Sequence, residues 1–154
     1  MLTEEIKREI EAEFGRFKNK QSACIEAMQI VTRHLGWLSD ETIREIAAFL
    51  EMTPDEVDGV ATFYNHLFRK PVGRHLILVC DSVTCYIMGY EQLIDHLKKS
   101  LGVEFGQTTA DGRFTLLPIQ CLGVCEQAPA VMIDEEVYGD LDPAKLDQIL
   151  AKYV

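Results

Sequence analysis

The chain has 154 residues, of which 47% are hydrophobic and 26% charged, and its formal net charge is −10. These values are typical of a soluble globular protein of one or two small domains, whose core can form without disulfide or metal staples. The negative charge argues against nucleic acid as a partner, because phosphates would be repelled, and no apolar run approaches the length of a membrane span.

The N-terminal stretch MLTEEIKREIEAEF is acidic and amphipathic. We therefore expect neither a signal peptide nor an Arg-rich transit sequence, and we expect the protein to reside in a reducing cytosol. Disulfides are rare there, so the five cysteines indicate metal or redox chemistry rather than structural bridges.

Apolar residues recur at helical spacing through the first third of the chain and predict four helices. The first spans about residues 3 to 17, and the second ends at Gly36, which acts as a C-terminal cap. Ser39 or Asp40 caps the third. The fourth begins in the stretch TPDE (53–56), which has the pattern of a capping box with proline at the first helical position.

The rest of the chain alternates between strand and helix signals. The predicted elements are a strand at 75–80, a helix at 90–102, a strand from Phe114 towards Cys121 after an Asp-Gly turn, a hairpin of 130–134 with 136–140, and a helix starting after Asp142. Parallel strands joined by a crossover helix and extended by an antiparallel hairpin are the layout of a thioredoxin-like domain. Pro118 argues against a central position for the second strand.

These elements predict an α+β protein in two parts. Residues 1–70 form an N-terminal helical bundle, and residues 71–154 form a thioredoxin-like α/β domain with a four-stranded mixed sheet.

Four of the five cysteines fall in two pairs, CDSVTC and CLGVC. We predict that Cys80 ends the first strand, that Cys85 follows in the turn before the helix, that Cys121 ends the second strand, and that Cys125 lies in the next loop. Because adjacent parallel strands end at the same edge of a sheet, the four thiols could converge there. Soft thiolate ligands select zinc or an iron–sulfur cluster.

The spacing of the pairs favours one kind of site without excluding the others. Gaps of four and three residues differ from the two-residue knuckles common in zinc sites, from the Cys-x-x-Cys redox motif and from the plant-type ferredoxin run. We interpret the pattern as a 2Fe–2S cluster, with a zinc site and ordinary buried or reactive thiols as the alternatives. Gly123 permits a tight loop whose backbone N–H groups can point at sulfur. The Ala128-Pro129 step predicts extended backbone between this loop and the next strand.

The remaining candidates are interpreted as structural. Cys24 lies in the second helix and is expected to be a small buried hydrophobe. Trp37 and the Phe63-Tyr64 pair are expected in the core or at a subunit interface. The four histidines show no ligand spacing and are expected at the surface or in helix caps: His34, His66, His75 and His96. A partner contact is the alternative for His66.

The stretch from Phe114 to Ala144 is acidic and contains neither Lys nor Arg. Its six acids are Glu126, Asp134, Glu135, Glu136, Asp140 and Asp142. We interpret them as a solvated face. The alternative is an electrostatic field that opposes electron addition to a cluster, or a docking surface for a basic partner.

The cysteine motifs and two further stretches resemble a known family. CDSVTC and CLGVCEQAP, together with GVATFYNHLFRKPVGRH (59–75) and GQTTADGRFTLLP (106–118), are similar to the thioredoxin-like 2Fe–2S ferredoxin subunit of bacterial NADH:quinone oxidoreductase, complex I, which belongs to its flavoprotein arm. The likeness covers essentially the whole chain. It implies that Cys80, Cys85, Cys121 and Cys125 are the ligands of one 2Fe–2S cluster.

The resemblance also implies a role and a partner. The chain would exchange single electrons with the FMN of a larger subunit that binds NADH, and would hold one flavin electron temporarily. It would form a heterodimer with that subunit in the peripheral arm on the cytoplasmic side of the inner membrane, and would not be catalytic alone. The absence of a GxGxxG or P-loop motif agrees with this. Equivalent subunits of an NAD-dependent formate dehydrogenase or a bidirectional hydrogenase, and a zinc-stabilised interaction module, are the alternatives.

Overall fold

In the computed structural model, which describes residues 2–154, helices fill the first part of the chain and strands enter only in the second. The chain divides into two units, Met1–Pro71 and Val72–Val154. Each unit has its own cluster of buried apolar side chains. The α+β class, with N-terminal helices followed by a four-stranded mixed sheet, is confirmed.

The first unit consists of four α-helices, with a 3₁₀ turn at Gln21–Ala23 between the first two. The helices are α1 (Glu4–Phe14), α2 (Cys24–Leu35), α3 (Asp40–Leu50) and α4 (Pro54–Phe63). Side-chain oxygens of Thr3, Ser39 and Thr53 cap α1, α3 and α4, and the capping box predicted for α4 is present. Gly36 ends α2 at a φ of 81°, as predicted.

The predicted end of the first helix was wrong by three residues. The helix stops at Phe14, with Gly15 as its C-cap, and Phe17 lies in the turns that follow. Gly15 ends the helix because glycine is a poor helix former. The apolar spacing continues to Phe17, so spacing alone predicted a longer helix. The apolar faces of the four helices still form one core, whose most deeply buried members are Ile10, Ala27, Met28, Val31, Leu38, Ile46, Leu50, Val57 and Ala61.

The second unit is built on a sheet with strand order β2-β1-β3-β4. Its elements are β1 (His75–Cys80), α5 (Val83–Ile87), α6 (Tyr90–Leu101), β2 (Phe114–Ile119), β3 (Val131–Ile133), β4 (Glu136–Tyr138) and α7 (Pro143–Leu150). Strands β1 and β2 pair in parallel, whereas β3 pairs antiparallel with both β1 and β4.

Strand position explains two features of this unit. Pro118 lies in β2, which is an edge strand. Proline has no N–H to donate, and an edge strand tolerates this because only one of its sides pairs with another strand. Central β1 is buried at five consecutive positions, Leu76–Cys80, as expected for a strand covered on both faces. The core around it takes side chains from the sheet and from α6 and α7: Ile77, Val79, Leu93, Leu97, Phe114, Leu116, Val131, Ile133 and Leu146.

Among the described residues, 2–154, no helix is both long enough and apolar enough to traverse a lipid bilayer.

Candidate metal centre

The two cysteine pairs follow the carboxyl ends of the two parallel strands. Cys80 is the last residue of β1 and is paired in register with Ile119, the last residue of β2. The backbone N–H of Asp81 donates to the carbonyl of Ile119 at 2.7 Å, which holds the two exits together. Both loops therefore leave the sheet at one edge, because parallel strands end on the same side.

The first pair is buried. Cys80 and Cys85 are 3% and 2% exposed. The sequence predicted a turn at Cys85, and the structure instead has the short helix α5, which turns this side chain inwards and leaves Val83 and Ile87 each 74% exposed. A helix of five residues is too short to show an apolar period, so this element was not predictable from spacing.

The second pair is exposed and lies on a loop. Strand β2 ends at Ile119, so Cys121 follows the strand by two residues rather than ending it, and Cys125 begins a 3₁₀ turn, Cys125–Gln127. The strand stops where pairing with β1 stops, a boundary that an apolar run does not reveal. Gly123 has a φ of 78°, and its N–H donates to the Cys121 sulfur at 3.3 Å, as the sequence predicted for this loop.

The two pairs lie at the same edge of the sheet, because Cys80 ends β1 and Cys121 follows the end of β2 by two residues. The pairs influence one another's acidity: Cys80 and Cys125 help to raise the pKa of Cys85, and both also help to lower the pKa of Cys121. Within residues 2–154, no group of three or more Cys, His, Asp or Glu side chains is arranged to hold a single metal ion. The four thiols therefore form two pairs at one edge of the sheet rather than a single-ion site.

Their environments give these thiols different acidities. The Gly123 N–H is the main cause that lowers the pKa of Cys121, and thiol and Ser82 hydroxyl contacts add to it. Burial, followed by the Cys80 contact, raises the pKa of Cys85 to about 11, against a smaller lowering effect of a hydrogen bond from the Ala130 backbone. A metal must displace these protons to bind, so filling the site releases protons.

The donor set fits a 2Fe–2S cluster. Such a cluster takes four thiolates, which bind as two pairs, one at each iron, and the chain offers two pairs. The N–H of Gly123 points at the sulfur of Cys121, where it offsets negative charge. The site therefore has soft donors in pairs, with a backbone N–H already directed at one of them.

The fifth cysteine does not join the others. Cys24 begins α2, is 4% exposed and packs in the core of the helical unit. Burial, and secondarily the charge of Glu26, raises the pKa of its thiol to about 11. The prediction of a small buried hydrophobe is confirmed.

Two of the four histidines are exposed and two are partly buried. His34 and His66 are exposed, and the first contacts Glu9 on α1 at 2.7 Å. His75 and His96 are partly buried instead, and their ring nitrogens contact Asp134 at 2.8 Å and Asp147 at 2.7 Å. These pairs join residues far apart in sequence, which single-residue spacing could not predict.

The aromatic candidates in the helical unit are not core residues. Phe63 is 77% exposed and Tyr64 42% exposed at the end of α4, and their rings meet edge-on with centroids 5.2 Å apart. Trp37 is partly buried. The core alternative is therefore wrong for the Phe63-Tyr64 pair, and the interface alternative stays a prediction.

The six acids between Phe114 and Ala144 are all exposed, which agrees with the solvated interpretation. They do not form one face, because Glu126 follows Cys125 whereas Asp134 and Glu135 form the β3–β4 turn beside the start of β1. Sequence reasoning missed one residue beside the first pair, Ala130, whose carbonyl accepts a hydrogen bond from the Cys80 N–H at 3.1 Å. No motif marks it, and the pairing of β1 with β3 brings it there.

Known proteins are similar to this chain in sequence and in fold. A family model described as thioredoxin-like 2Fe-2S ferredoxin matches residues 10–154. The NADH-quinone oxidoreductase subunit designated E in Pseudomonas aeruginosa is 47% identical over 154 residues, which are 100% of this chain and 93% of that protein. The subunit of the same name from Escherichia coli K12 is 46% identical over 144 residues, covering 94% of this chain and 87% of that one.

A solved structure gives a more distant likeness. The crystal structure of an NAD+-reducing NiFe-hydrogenase in the H2-reduced state contains a chain that is 28% identical, with a TM-score of 0.69. The match covers 82% of this chain and 22% of the hydrogenase chain. This chain thus spans about a fifth of the length of that chain, but nearly the full length of the two bacterial oxidoreductase subunits.

Proposed function

The chain belongs to the thioredoxin-like 2Fe–2S ferredoxin family, and from that premise we propose that it is an electron-transfer subunit of a respiratory NADH:quinone oxidoreductase. The observation that supports the proposal most directly is the position of the two cysteine pairs just past the adjacent carboxyl ends of the parallel strands β1 and β2. This ligand arrangement occurs in a chain that is 47% identical over its full length to a protein named as a subunit of NADH-quinone oxidoreductase.

The proposed cofactor is one 2Fe–2S cluster. Its ligands are Cys80, Cys85, Cys121 and Cys125. When bound, such a cluster accepts and donates single electrons. The chain would contribute the sulfurs, direct the backbone N–H of Gly123 at that of Cys121, and exclude water from the side of the buried pair. The exposed pair leaves the other side open to a redox partner.

The proposed partner is a subunit that binds FMN and NADH. NADH donates a hydride, and a flavin can accept it and pass electrons on singly. The sequence has neither a GxGxxG nor a P-loop motif, which supports a division of labour in which another subunit binds the nucleotide. Exposed apolar side chains on and after α5, including Val83, Ile87 and Met88, also support a protein partner beside the centre.

The proposed domains are a helical region, residues 1–70, and the ferredoxin domain, residues 71–154, which carries all four ligands. We further propose that the protein is cytoplasmic and lies in the peripheral arm on the cytoplasmic side of the bacterial inner membrane. Family membership supports this localisation.

A second candidate is the equivalent ferredoxin subunit of a bidirectional hydrogenase or an NAD-dependent formate dehydrogenase. The likeness to the NAD+-reducing NiFe-hydrogenase chain favours it, at 28% identity. Identities of 46% and 47% with two proteins named as NADH-quinone oxidoreductase subunits favour the quinone-linked complex more strongly.

The test is NADH turnover by the purified chain with and without its flavin subunit. We expect the isolated chain to bind iron, to show a reducible cluster and to turn over no NADH with any artificial acceptor. Co-purification from the native source should recover a flavin- and NADH-binding subunit, and the pair should oxidise NADH. NADH oxidation by the flavin-free single chain would contradict the proposal.

A further inference from the structure

Helix α5 buries one side and exposes apolar side chains on the other. Cys85 is buried, whereas Val83, Tyr86 and Ile87 are each more than half exposed, as is Met88 directly after the helix. We call these four exposed residues the α5 surface. They are four of the nine large hydrophobic residues that are exposed among residues 2–154, so apolar exposure is concentrated here.

The α5 surface lies beside the two cysteine pairs. Cys85 belongs to the same helix, and Cys80 ends the strand before it. The Asp81 N–H donates to the Ile119 carbonyl at 2.7 Å, so the loop that leads to α5 and the loop that carries Cys121 leave the sheet together. A protein that covers the α5 surface would therefore lie next to the proposed centre.

Carboxylates lie around the α5 surface and the exposed cysteines. Asp81 precedes α5, and Glu126 lies on the loop of the second cysteine pair. Glu91, in the first turn of α6, accepts a hydrogen bond from the Tyr86 hydroxyl at 3.4 Å. All three acids are exposed, and none of them forms an ion pair within the described part of the chain. Their negative charges are therefore available to a partner.

The segments around the cysteines contribute no compensating positive charge. Residues 75–97 and 114–144, which carry all four cysteines of the pairs, contain neither Lys nor Arg. Arg74 and Arg113 directly precede β1 and β2, so they lie where the strands begin, at the end of the sheet opposite the cysteines. These two segments therefore make the cysteine edge acidic.

The combination of an apolar centre with an acidic border distinguishes among possible occupants. An exposed apolar patch with a polar border is typical of a protein or membrane contact. Anionic lipid attracts basic segments and would repel this border. A second copy would bring the same acids against one another, which is unfavourable. A protein whose apolar patch is bordered by Lys and Arg would match both the centre and the border.

We propose that the α5 surface is the docking surface for the flavin-binding partner, and that the facing surface of this partner is apolar with a border of Lys and Arg. The inference rests on the proposed electron-transfer function. The apolar centre supplies most of the affinity, as central interface residues generally do. The acidic border steers the approach of the partner and makes its association depend on salt.

The experiment measures the Kd of the holoprotein for the flavin- and NADH-binding subunit recovered with it from the native source. Val83→Ser combined with Ile87→Ser should raise the Kd by about tenfold or more, because apolar contact at the centre is lost. Glu91→Gln should raise the Kd by about twofold to fivefold at low salt, and should make the Kd depend less on salt.

Two matched controls make the same substitutions away from the cysteine edge. Val137→Ser changes an exposed valine in β4, and Glu135→Gln changes an exposed acid in the β3–β4 turn. Both should leave the Kd within about twofold of the wild-type value. Iron content, melting temperature and the paramagnetic signal after chemical reduction should match the wild type in every variant, because the changed side chains are exposed.

Several outcomes would overturn docking at the α5 surface and leave the proposed function intact. These are wild-type affinity in the double variant, losses in the controls equal to those in the variants, and a wild-type Kd that does not change with salt. A dimer of the isolated chain that the double variant dissolves, or binding to anionic phospholipid vesicles that it abolishes, would assign the surface to another occupant.

A different result would reach the proposed function itself. A wild-type holoprotein that carries its cluster but binds no flavin subunit would overturn the proposed partner, and this inference with it.

Discussion

At the scale of single residues, the four proposed ligands differ in burial although they serve one site. Cys80 and Cys85 lie inside the sheet unit, whereas Cys121 and Cys125 face outwards. The motif predicts both buried cysteines as ligands, but the burial of Cys85 depends on α5, which the sequence did not reveal. The exposed pair marks the side from which an electron-transfer partner can approach.

Replacing any one of the four ligands by serine should remove most of the iron. Serine offers a harder oxygen ligand in place of a soft thiolate. Removing a residue that only hydrogen-bonds to a metal ligand lowers metal affinity by roughly tenfold or more. We expect removal of a ligand itself to lower iron affinity by at least that much. Iron and sulfide analysis of the purified variants measures it. Cys24→Ser is the matched control and should keep its iron, so an equal loss there would contradict the assignment.

Neutralising Glu126 should raise the reduction potential of the cluster modestly. Its carboxylate follows Cys125 directly and opposes the added electron, but it is exposed, so water and salt weaken the effect. We expect Glu126→Gln to shift the potential upwards by less than about 60 mV, that is, by less than tenfold in the reduction constant. Redox titration at fixed salt measures the shift.

The control for this change is Glu135→Gln, which removes the same charge from the β3–β4 turn. That turn lies beside the start of β1, whereas the cysteines lie at the opposite end of the strand. The control should therefore leave the reduction potential almost unchanged. A fall in potential in Glu126→Gln, or an equal rise in both variants, would contradict the electrostatic interpretation.

At the scale of elements, the turn that carries Cys125 is held against the end of β4. The N–H of Asp140 donates to the Gln127 carbonyl at 2.6 Å. A Cβ added to Gly139 would lie 2.4 Å from the Gln127 Cβ and 2.7 Å from its carbonyl oxygen. Glycine at 139 is therefore required by close approach, and the position of the fourth ligand depends on it.

Gly139→Ala should accordingly push the Cys125–Gln127 turn out of place. We expect a loss of about 1–3 kcal/mol in the free energy of unfolding, the usual cost of overpacking, together with faster iron release. Gly59→Ala is the control, because an added Cβ inside α4 meets nothing within 4 Å and should stabilise by about 0.5–1 kcal/mol. Thermal unfolding and iron-release rates measure both. Unchanged iron retention in Gly139→Ala would contradict the dependence.

The elements that sequence predicted well are those with local signals. Capping residues, C-terminal glycines and apolar periods located the long helices and the strands, and Pro118 correctly predicted an edge strand. The features that the sequence did not predict depend on contacts between residues far apart in the chain. The contact between His75 and Asp134 arises from the pairing of β1 with β3.

At the scale of the whole molecule, the candidate site could be predicted as a set of four cysteines but not as an environment. Cysteine spacing and family likeness named four residues before any geometry was known. The burial of the first pair, the N–H of Gly123 directed at Cys121 and the differing acidities of the thiols came from the fold. These properties govern the potential of a cluster, so they matter more for function than the ligand list alone.

The most direct test of the account is electron paramagnetic resonance of the purified chain after chemical reduction, with iron, sulfide and zinc analysis of the same sample. We predict a brown protein with iron and sulfide in equal amounts, and a paramagnetic signal that appears on reduction and is lost in the four cysteine variants. A colourless protein that contains zinc and gives no signal on reduction would contradict the account.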